Sequence, residues 1–223
     1  MSKKTKVFQA EVQQILDLMV HSLYSQKEVF LRELISNSSD AIDKLKFESK
    51  ADASLKVSSE ESSISLEINK ENNTLAITDN GIGMSLEEVE KNIGTIAHSG
   101  TKKFIENAQA IKENPELIGQ FGVGFYSAFM VADKITLHTQ KVGANDGVTW
   151  ESTGNGEYTI DEVPRAAGHG TTITLQLKDT SEEEESQDFT KDYLIQSLVK
   201  KYSDFIHYPV KMKMEHQEPI LDE

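Results

Sequence analysis

Hydrophobic positions along this chain follow two periods. Between residues 30 and 47, Phe30, Leu31, Leu34, Ile35, Ala41, Ile42 and Leu45 recur at helical spacing with no Pro or Gly between them. At about 100° per residue they fill one arc of an α-helix, which should face a core. A second amphipathic helix is expected over 11–24, with Val12, Ile15, Leu16, Met19 and Leu23 on one face. A closing one over 190–206 uses Tyr193, Leu194, Leu198, Val199 and Phe205. Alternation of period two predicts strands over 64–68, 74–78, 134–140, 148–152, 157–161 and 171–177, with shorter extended pieces at 5–8 and 208–214. Glu71, Asn72 and Asn73 make a hairpin turn, and the runs GANDG and GNG supply two more. Ser85 and Glu88 form a capping box ahead of Val89 and Ile93, and a markedly apolar helix is expected over 123–131. Helices cluster in the first half and antiparallel-looking strands in the second. The expected class is therefore α+β: a two-layer sandwich in which one mixed, mostly antiparallel sheet is covered on one face by helices. The βαβ alternation of a dinucleotide-binding fold is missing, and no internal repeat is present.

The helix over 30–47 carries a second stripe. Glu33, Asn37, Asp40 and Lys44 step by four, three and four, so a carboxylate, an amide and another carboxylate stack along the border of the apolar arc. Arg32, Ser36 and Asp43 fall on the solvent face. Taken alone, the stripe reads first as an ordinary helix border, with Asp40 and Lys44 as an i,i+4 ion pair worth about 0.3–0.5 kcal/mol.

Composition narrows the classes. The 223 residues suffice for one large domain with a sizeable core, and 37% hydrophobic content reads as globular. The absence of Cys excludes a disulfide scaffold, thiolate catalysis and Cys-ligated zinc, and fits a reducing compartment. No apolar run approaches the roughly 18 residues a membrane span needs, and the first fourteen residues lack an apolar signal core, so a cytoplasmic, membrane-free protein is expected. The net charge of −14, from 37 acidic against 23 basic residues, repels a phosphate backbone and counts against nucleic acid as a partner. A small anionic ligand stays open, because a metal ion and backbone amides can supply a local positive field. The run SEEEESQD at 181–188 reads as a solvated loop.

Common phosphate and metal motifs fail. There is no G-x-x-x-x-G-K-[ST], and Gly119, Gly122 and Gly124 run opposite to the dinucleotide fingerprint. Residues 79–90 have the length of an EF-hand loop but place Gly81 and Gly83 where oxygen ligands belong. The six His residues lack zinc spacing, and no nucleophile elbow supports Ser-His-Asp hydrolysis. What remains is Asp79 at a strand end, followed by Gly81 and Gly83. A carboxylate there can accept from an exocyclic amine, and two residues without Cβ let backbone approach a flat ring. A plain D-x-G turn is an equal reading of the same residues. Gly122 and Gly124 open a helix whose amides and dipole suit an anion.

Glu33-x-x-x-Asn37-x-x-Asp40-Ala41, Asp79-x-Gly81-x-Gly83, Gly119-x-x-Gly122-x-Gly124 and Gly170-Thr171 stand in this order. Together they resemble the ATP-binding domain shared by DNA gyrase, the ninety-kilodalton heat-shock chaperones, sensor histidine kinases and the mismatch-repair protein MutL. Within that group FLRELISNSSDA, ITDNGIGM, NIGTIAHSGT and IGQFGVGFYSAFMVADK resemble the heat-shock chaperone branch, above all its bacterial members, and the resemblance runs from about Phe8 to the last residue. It implies a Bergerat-type fold and a single nucleotide-binding domain over 1–223, with an ATP lid at about 94–124 and the family's middle and C-terminal domains outside this chain.

It also implies roles. Asn37 would hold a Mg²⁺ ion bridging the phosphates of ATP or ADP, and Glu33 would orient and deprotonate the attacking water. Asp79 would bind the adenine amino group, with Thr171 behind it through a water. Gly83 and Met84 would line the base, Asn92 and Phe125 the sugar–phosphate side, and Asp40, Gly119, Gly122 and Gly124 would complete the nucleotide site. A base one helical turn from a metal ligand is the arrangement that water attack on a phosphoryl group requires. Many eukaryotic members carry Lys where this chain has His98, so a permanently charged phosphate contact is not implied there. The partners implied are unfolded client proteins and a second copy in the full-length homodimer, a pairing this domain need not make by itself. Three other functions fit parts of the pattern. A histidine-kinase catalytic domain predicts a preceding dimerisation segment, a DNA-processing ATPase predicts a less acidic surface, and a non-hydrolysing nucleotide sensor predicts no base at Glu33.

Overall fold

The computed structural model describes residues 3–8, 27–52, 55, 61–94, 124–179, 187–202 and 206–213. The expected helix over 11–24, His98, Gly119, Gly122 and nearly all of the expected lid lie outside them. Along the chain run β1 (Lys4–Val7), α1 (Val29–Ala51), β2 (Ile64–Asn69), β3 (Thr74–Asp79), α2 (Leu86–Asn92) and a 3₁₀ helix (Gly124–Met130). Then follow β4 (Ala132–Gln140), β5 (Gly147–Ser152), β6 (Glu157–Val163), β7 (Gly170–Leu177), α3 (Asp192–Tyr202) and β8 (Val210–Met212).

The strands form one sheet in the order β1-β6-β5-β4-β7-β3-β2-β8, antiparallel throughout except for the parallel β2–β8 pair. The α+β class with a mixed, mostly antiparallel sheet is what the strand and helix patterns predicted. Alternation explains the layering: in β3, Leu75, Ile77 and Asp79 are buried while Thr74, Ala76 and Thr78 are only partly covered. The same rhythm runs through β4 and β7, so one face of the sheet is apolar and the other rich in threonine.

Helix α1 covers the apolar face. Phe30, Leu31, Leu34, Ile35, Ile42 and Leu45 are each 0 or 1% exposed, the arc read from the sequence except that Ala41 is only half-buried. At its start the Glu28 carboxylate accepts from Lys201 Nζ (2.8 Å), fastening α1 to α3. The closing helix is shorter than expected among the described residues and turned differently: Ile195 and Leu198 are buried while Tyr193 is 73% exposed. A helical moment fixes an arc only to within a residue or so, and here Ile195 displaced Tyr193 from the core. The apolar stretch over 123–131 is helical but winds as a 3₁₀ helix, all seven of its residues buried. Phe8, Phe125, Tyr126, Trp150 and Tyr158 form a connected aromatic cluster beside it, with ring centroids 5.0–6.4 Å apart.

Because α1 lies directly on β3, its apolar arc carries the fold. Ile42→Ala, at a position 0% exposed, should destabilise the chain by about 2–5 kcal/mol. Urea unfolding checks this, and a loss under 1 kcal/mol would mean that α1 is not packed as described.

Candidate functional site

Helix α1 crosses the sheet where β3 ends beside the start of its antiparallel neighbour β7, and the gap between them is a cavity of about 360 Å³. Ten of the twelve site residues named from the sequence line it: Glu33, Asn37, Asp40, Asp79, Gly83, Met84, Asn92, Gly124, Phe125 and Thr171. The other two, Gly119 and Gly122, lie outside the described residues. Ser38, Lys44, Ile82, Glu88, Ile93, Leu137 and Ile173 also line the cavity. Some of these apolar residues belonged to strand patterns that, in the sequence, marked nothing beyond core.

Asp79 ends β3 directly opposite Thr171 of β7 and is 5% exposed. Its Oδ1 accepts from Gly81 N (2.8 Å), and the Thr171 backbone N–H, the Ser38 hydroxyl and the Arg165 charge also favour its ionised form. Burial outweighs them and pushes its pKa up from 3.8 to about 6. Arg165, in the turn before β7, is only 7% exposed; it donates to the carbonyls of Gly168 and His169 and to Thr172 Oγ1 (3.0 Å). It thereby braces the loop entering β7 behind the carboxylate.

The two glycines after Asp79 have different reasons from the one expected. At Gly81 a Cβ would lie 2.6 Å from the Ala41 backbone, so this glycine lets the loop rest on α1, where Ile82 N donates to Ala41 O (3.0 Å). Gly83 has φ +66°, and a Cβ there would meet Gln140 O at 1.8 Å. It too is required by chain crossing, although it does face the cavity.

At the other end of the cavity Glu33, 7% exposed, is paired with its neighbour. Arg32 Nη2 and Nε donate to Glu33 Oε1 at 2.8 and 3.2 Å. Arg32 was expected on the solvent face, but its side chain is 19% exposed, because the flexible guanidinium folds back to the carboxylate. The second oxygen, Oε2, faces Gly124, where a Cβ would sit 2.3 Å away. Gly124 therefore makes room for a carboxylate, and the 3₁₀ helix it opens is a single seven-residue stretch. Asn37 and Asp40 stand exposed on the cavity wall. The pKa of Asp40 is raised by burial and by Asp43. Lys44, expected to pair with Asp40, reaches Glu48 at 4.0 Å instead. On the remaining side the capping box at Ser85 is present, and Glu88 also accepts from Lys141 Nζ (2.7 Å).

A family model described as histidine kinase-, DNA gyrase B-, and HSP90-like ATPase matches residues 24–180. The chain is 59% identical over 222 residues to a protein named chaperone protein HtpG from Bdellovibrio bacteriovorus, covering all of this chain and 36% of that protein. It is 54% identical to the HtpG of Geobacter metallireducens and 50% identical to that of Mycolicibacterium gilvum, covering 98% and 97% of this chain and 33% and 34% of those proteins. It thus spans about a third of the length of these relatives.

The raised pKa of Asp79 makes the stability of the fold depend on pH. A native carboxyl that holds its proton more tightly than the unfolded chain contributes stability below about pH 4, and loses it as pH rises towards 6. With 1.36 kcal/mol per unit, the loss is about 3 kcal/mol at most. Asp79→Asn cannot ionise, so its stability relative to the parent should improve steadily between pH 4 and pH 7. Urea titrations at several pH values measure this, and a pH-independent difference would contradict the buried, ionisable carboxylate.

Proposed function

The chain belongs to the histidine kinase-, DNA gyrase B- and HSP90-like ATPases, and on that footing we propose that its cavity takes Mg-ATP and drives the cycle of a longer, cytoplasmic, dimeric chaperone that acts on unfolded proteins. One observation carries this reading: a buried acceptor, an apolar wall and a carboxylate–amide pair converge on a single cavity of about 360 Å³. Asp79 receives the exocyclic amine of the base. Gly83, Met84 and the side chains of Ile82, Leu137 and Ile173 give the ring a flat apolar bed, and Asn92, Phe125 and Asp40 border the sugar and phosphates.

The metal reading fits the donors present. Among the described residues no group of three His, Cys, Asp or Glu side chains could hold an ion. Mg²⁺ needs no such cage, since it keeps several waters and takes most other ligands from phosphates. Asn37, exposed on the cavity wall, would supply one amide oxygen. When bound, the ion would neutralise charge on the phosphate oxygens. Glu33, one turn earlier, acts on the water: Arg32 fixes one carboxylate oxygen, and the other lies against Gly124 at the cavity wall.

The segment over 94–124 is proposed to close over the nucleotide. What supports this is where its ends lie. Ile93 and Phe125 both line the cavity, and Tyr126 Oη donates to Ile93 O (2.5 Å), so the two ends are joined beside it. The whole of 1–223 then acts as one nucleotide-binding domain.

Glu33→Ala should bind ATP within a few-fold of the parent and lose hydrolysis by about 10²–10⁴, the usual worth of a positioned base. Asn37→Ala should bind more weakly and with less dependence on Mg²⁺. Calorimetry with a turnover assay separates the two, and parental turnover by Glu33→Ala would remove it as the base.

A further expectation concerns rate. Transfer to water is commonly helped by a cation at the γ-phosphate, worth about 10³–10⁵ where an arginine supplies it. The chain has two arginines, one paired with Glu33 and the other buried behind Asp79. The 223-residue chain should therefore hydrolyse ATP very slowly and speed up when the rest of the longer protein is joined to it. Fast turnover by this chain alone, unaffected by Arg32→Ala, would contradict that assignment.

A further inference from the structure

Thr139 is 0% exposed near the end of β4, and no motif drew attention to it. Its hydroxyl has three neighbours: Met84 N donates to it at 3.0 Å, it donates to Gly170 O at 3.0 Å, and Thr171 Oγ1 lies 2.9 Å away. A hydroxyl owns one proton and two lone pairs. If the Thr139 proton goes to Gly170 O, both lone pairs are used, one by Met84 N–H and the other by the Thr171 hydroxyl. All three contacts are then satisfied at once. The reverse arrangement, with Thr139 donating to Thr171, forfeits the bond to Gly170 O.

The satisfied arrangement has a consequence for the cavity. Thr171 spends its proton on Thr139 and offers only lone pairs to the cavity it lines. Asp79, its cross-strand partner, likewise offers acceptor oxygens when ionised. Two adjacent acceptors match a group with two N–H bonds and repel a carbonyl oxygen.

Resting on the nucleotide reading of this cavity, we infer that Thr139 is a positioning residue that sets the hydrogen-bond polarity of Thr171, so that the site selects 6-amino over 6-oxo purine nucleotides. Thr139 touches no ligand in this role. It acts by holding the Thr171 proton away from the cavity and by fixing the Met84 backbone at the cavity wall.

The test compares ADP with inosine diphosphate, which differs at the 6-position, by calorimetry on the 223-residue chain. Thr139→Val keeps the shape and removes the hydroxyl, which frees the Thr171 proton to point at the ligand. ADP affinity should fall about tenfold or more, the equivalent of one buried hydrogen bond. The ratio of ADP to inosine diphosphate affinity should also fall at least about tenfold. Thr139→Ser restores the hydroxyl and should keep the parental ratio within about threefold. If Thr139→Val gives no cooperative thermal transition, Thr139→Ala is read in the same way. A variant that binds both nucleotides more weakly but in the parental ratio would overturn the inference, leaving Thr139 with a packing role. A parent that binds neither nucleotide would overturn the reading of the cavity itself, a separate outcome.

Discussion

A carboxylate buried to 5% exposure at the end of a β-strand is costly, and much of the architecture around the cavity answers that cost. The groups that offset it come from separate parts of the chain: hydrogen bonds from Gly81 in the loop after β3, the Thr171 backbone in β7 and Ser38 on α1, and the positive charge of Arg165 in the turn before β7. None of them suffices alone, and together they still leave the Asp79 pKa near 6. A carboxylate in this balance is ionised at neutral pH yet imperfectly satisfied, which suits the proposed role of accepting one more hydrogen bond from a ligand. Placing it requires α1, β3 and β7 to meet at one point. That meeting is what opens the cavity.

The same helix works on two sides at once. Its apolar arc closes the core, while Glu33, Asn37 and Asp40 reach the cavity from the neighbouring arc. Stability and the proposed chemistry are thereby coupled through one rigid element, so side chains a turn apart keep their spacing without help from loops. The opposite wall is built differently. The loop 80–85 is pinned by Ile82 N to Ala41 O, by Met84 N to Thr139 Oγ1 and by His169 Nδ1 to Gly81 O. The apolar wall proposed to bed a ring therefore rests on fixed backbone. Family membership rests on the match over residues 24–180, a span that contains all these groups.

The α+β class, the covered sheet, the six main strands and the long helix were legible in the sequence, because period two and period 3.6 are local properties that burial on one face enforces. The capping box at Ser85 was legible for the same reason: both partners lie within one turn. The stripe on α1 could also be seen, since 3.6 residues per turn places Glu33, Asn37 and Asp40 on one line in any α-helix. Its convergence with Asp79 could not be derived from spacing. It was implied by resemblance, and the fold then brought ten of the twelve named residues to one cavity.

Tertiary structure alone decided the rest. Arg32 and Arg165 carry long, flexible side chains whose direction no periodicity dictates, and both turned inward to meet carboxylates or carbonyls. Gly81 and Gly124 proved necessary because of what another segment brings against them, the backbone of Ala41 and the carboxylate of Glu33. Ile195 took the core place expected of Tyr193 because α1 fixes which side of α3 faces inward. Thr139 escaped notice entirely: one threonine in an alternating strand carries no local signal. Its importance comes from Met84, Gly170 and Thr171, which are tens of residues away in sequence and within hydrogen-bonding distance in space. Local periodicity determined which segments are helix and strand and which of their faces are buried. Which distant groups meet on those faces was settled only when α1 closed over the ends of β3 and β7.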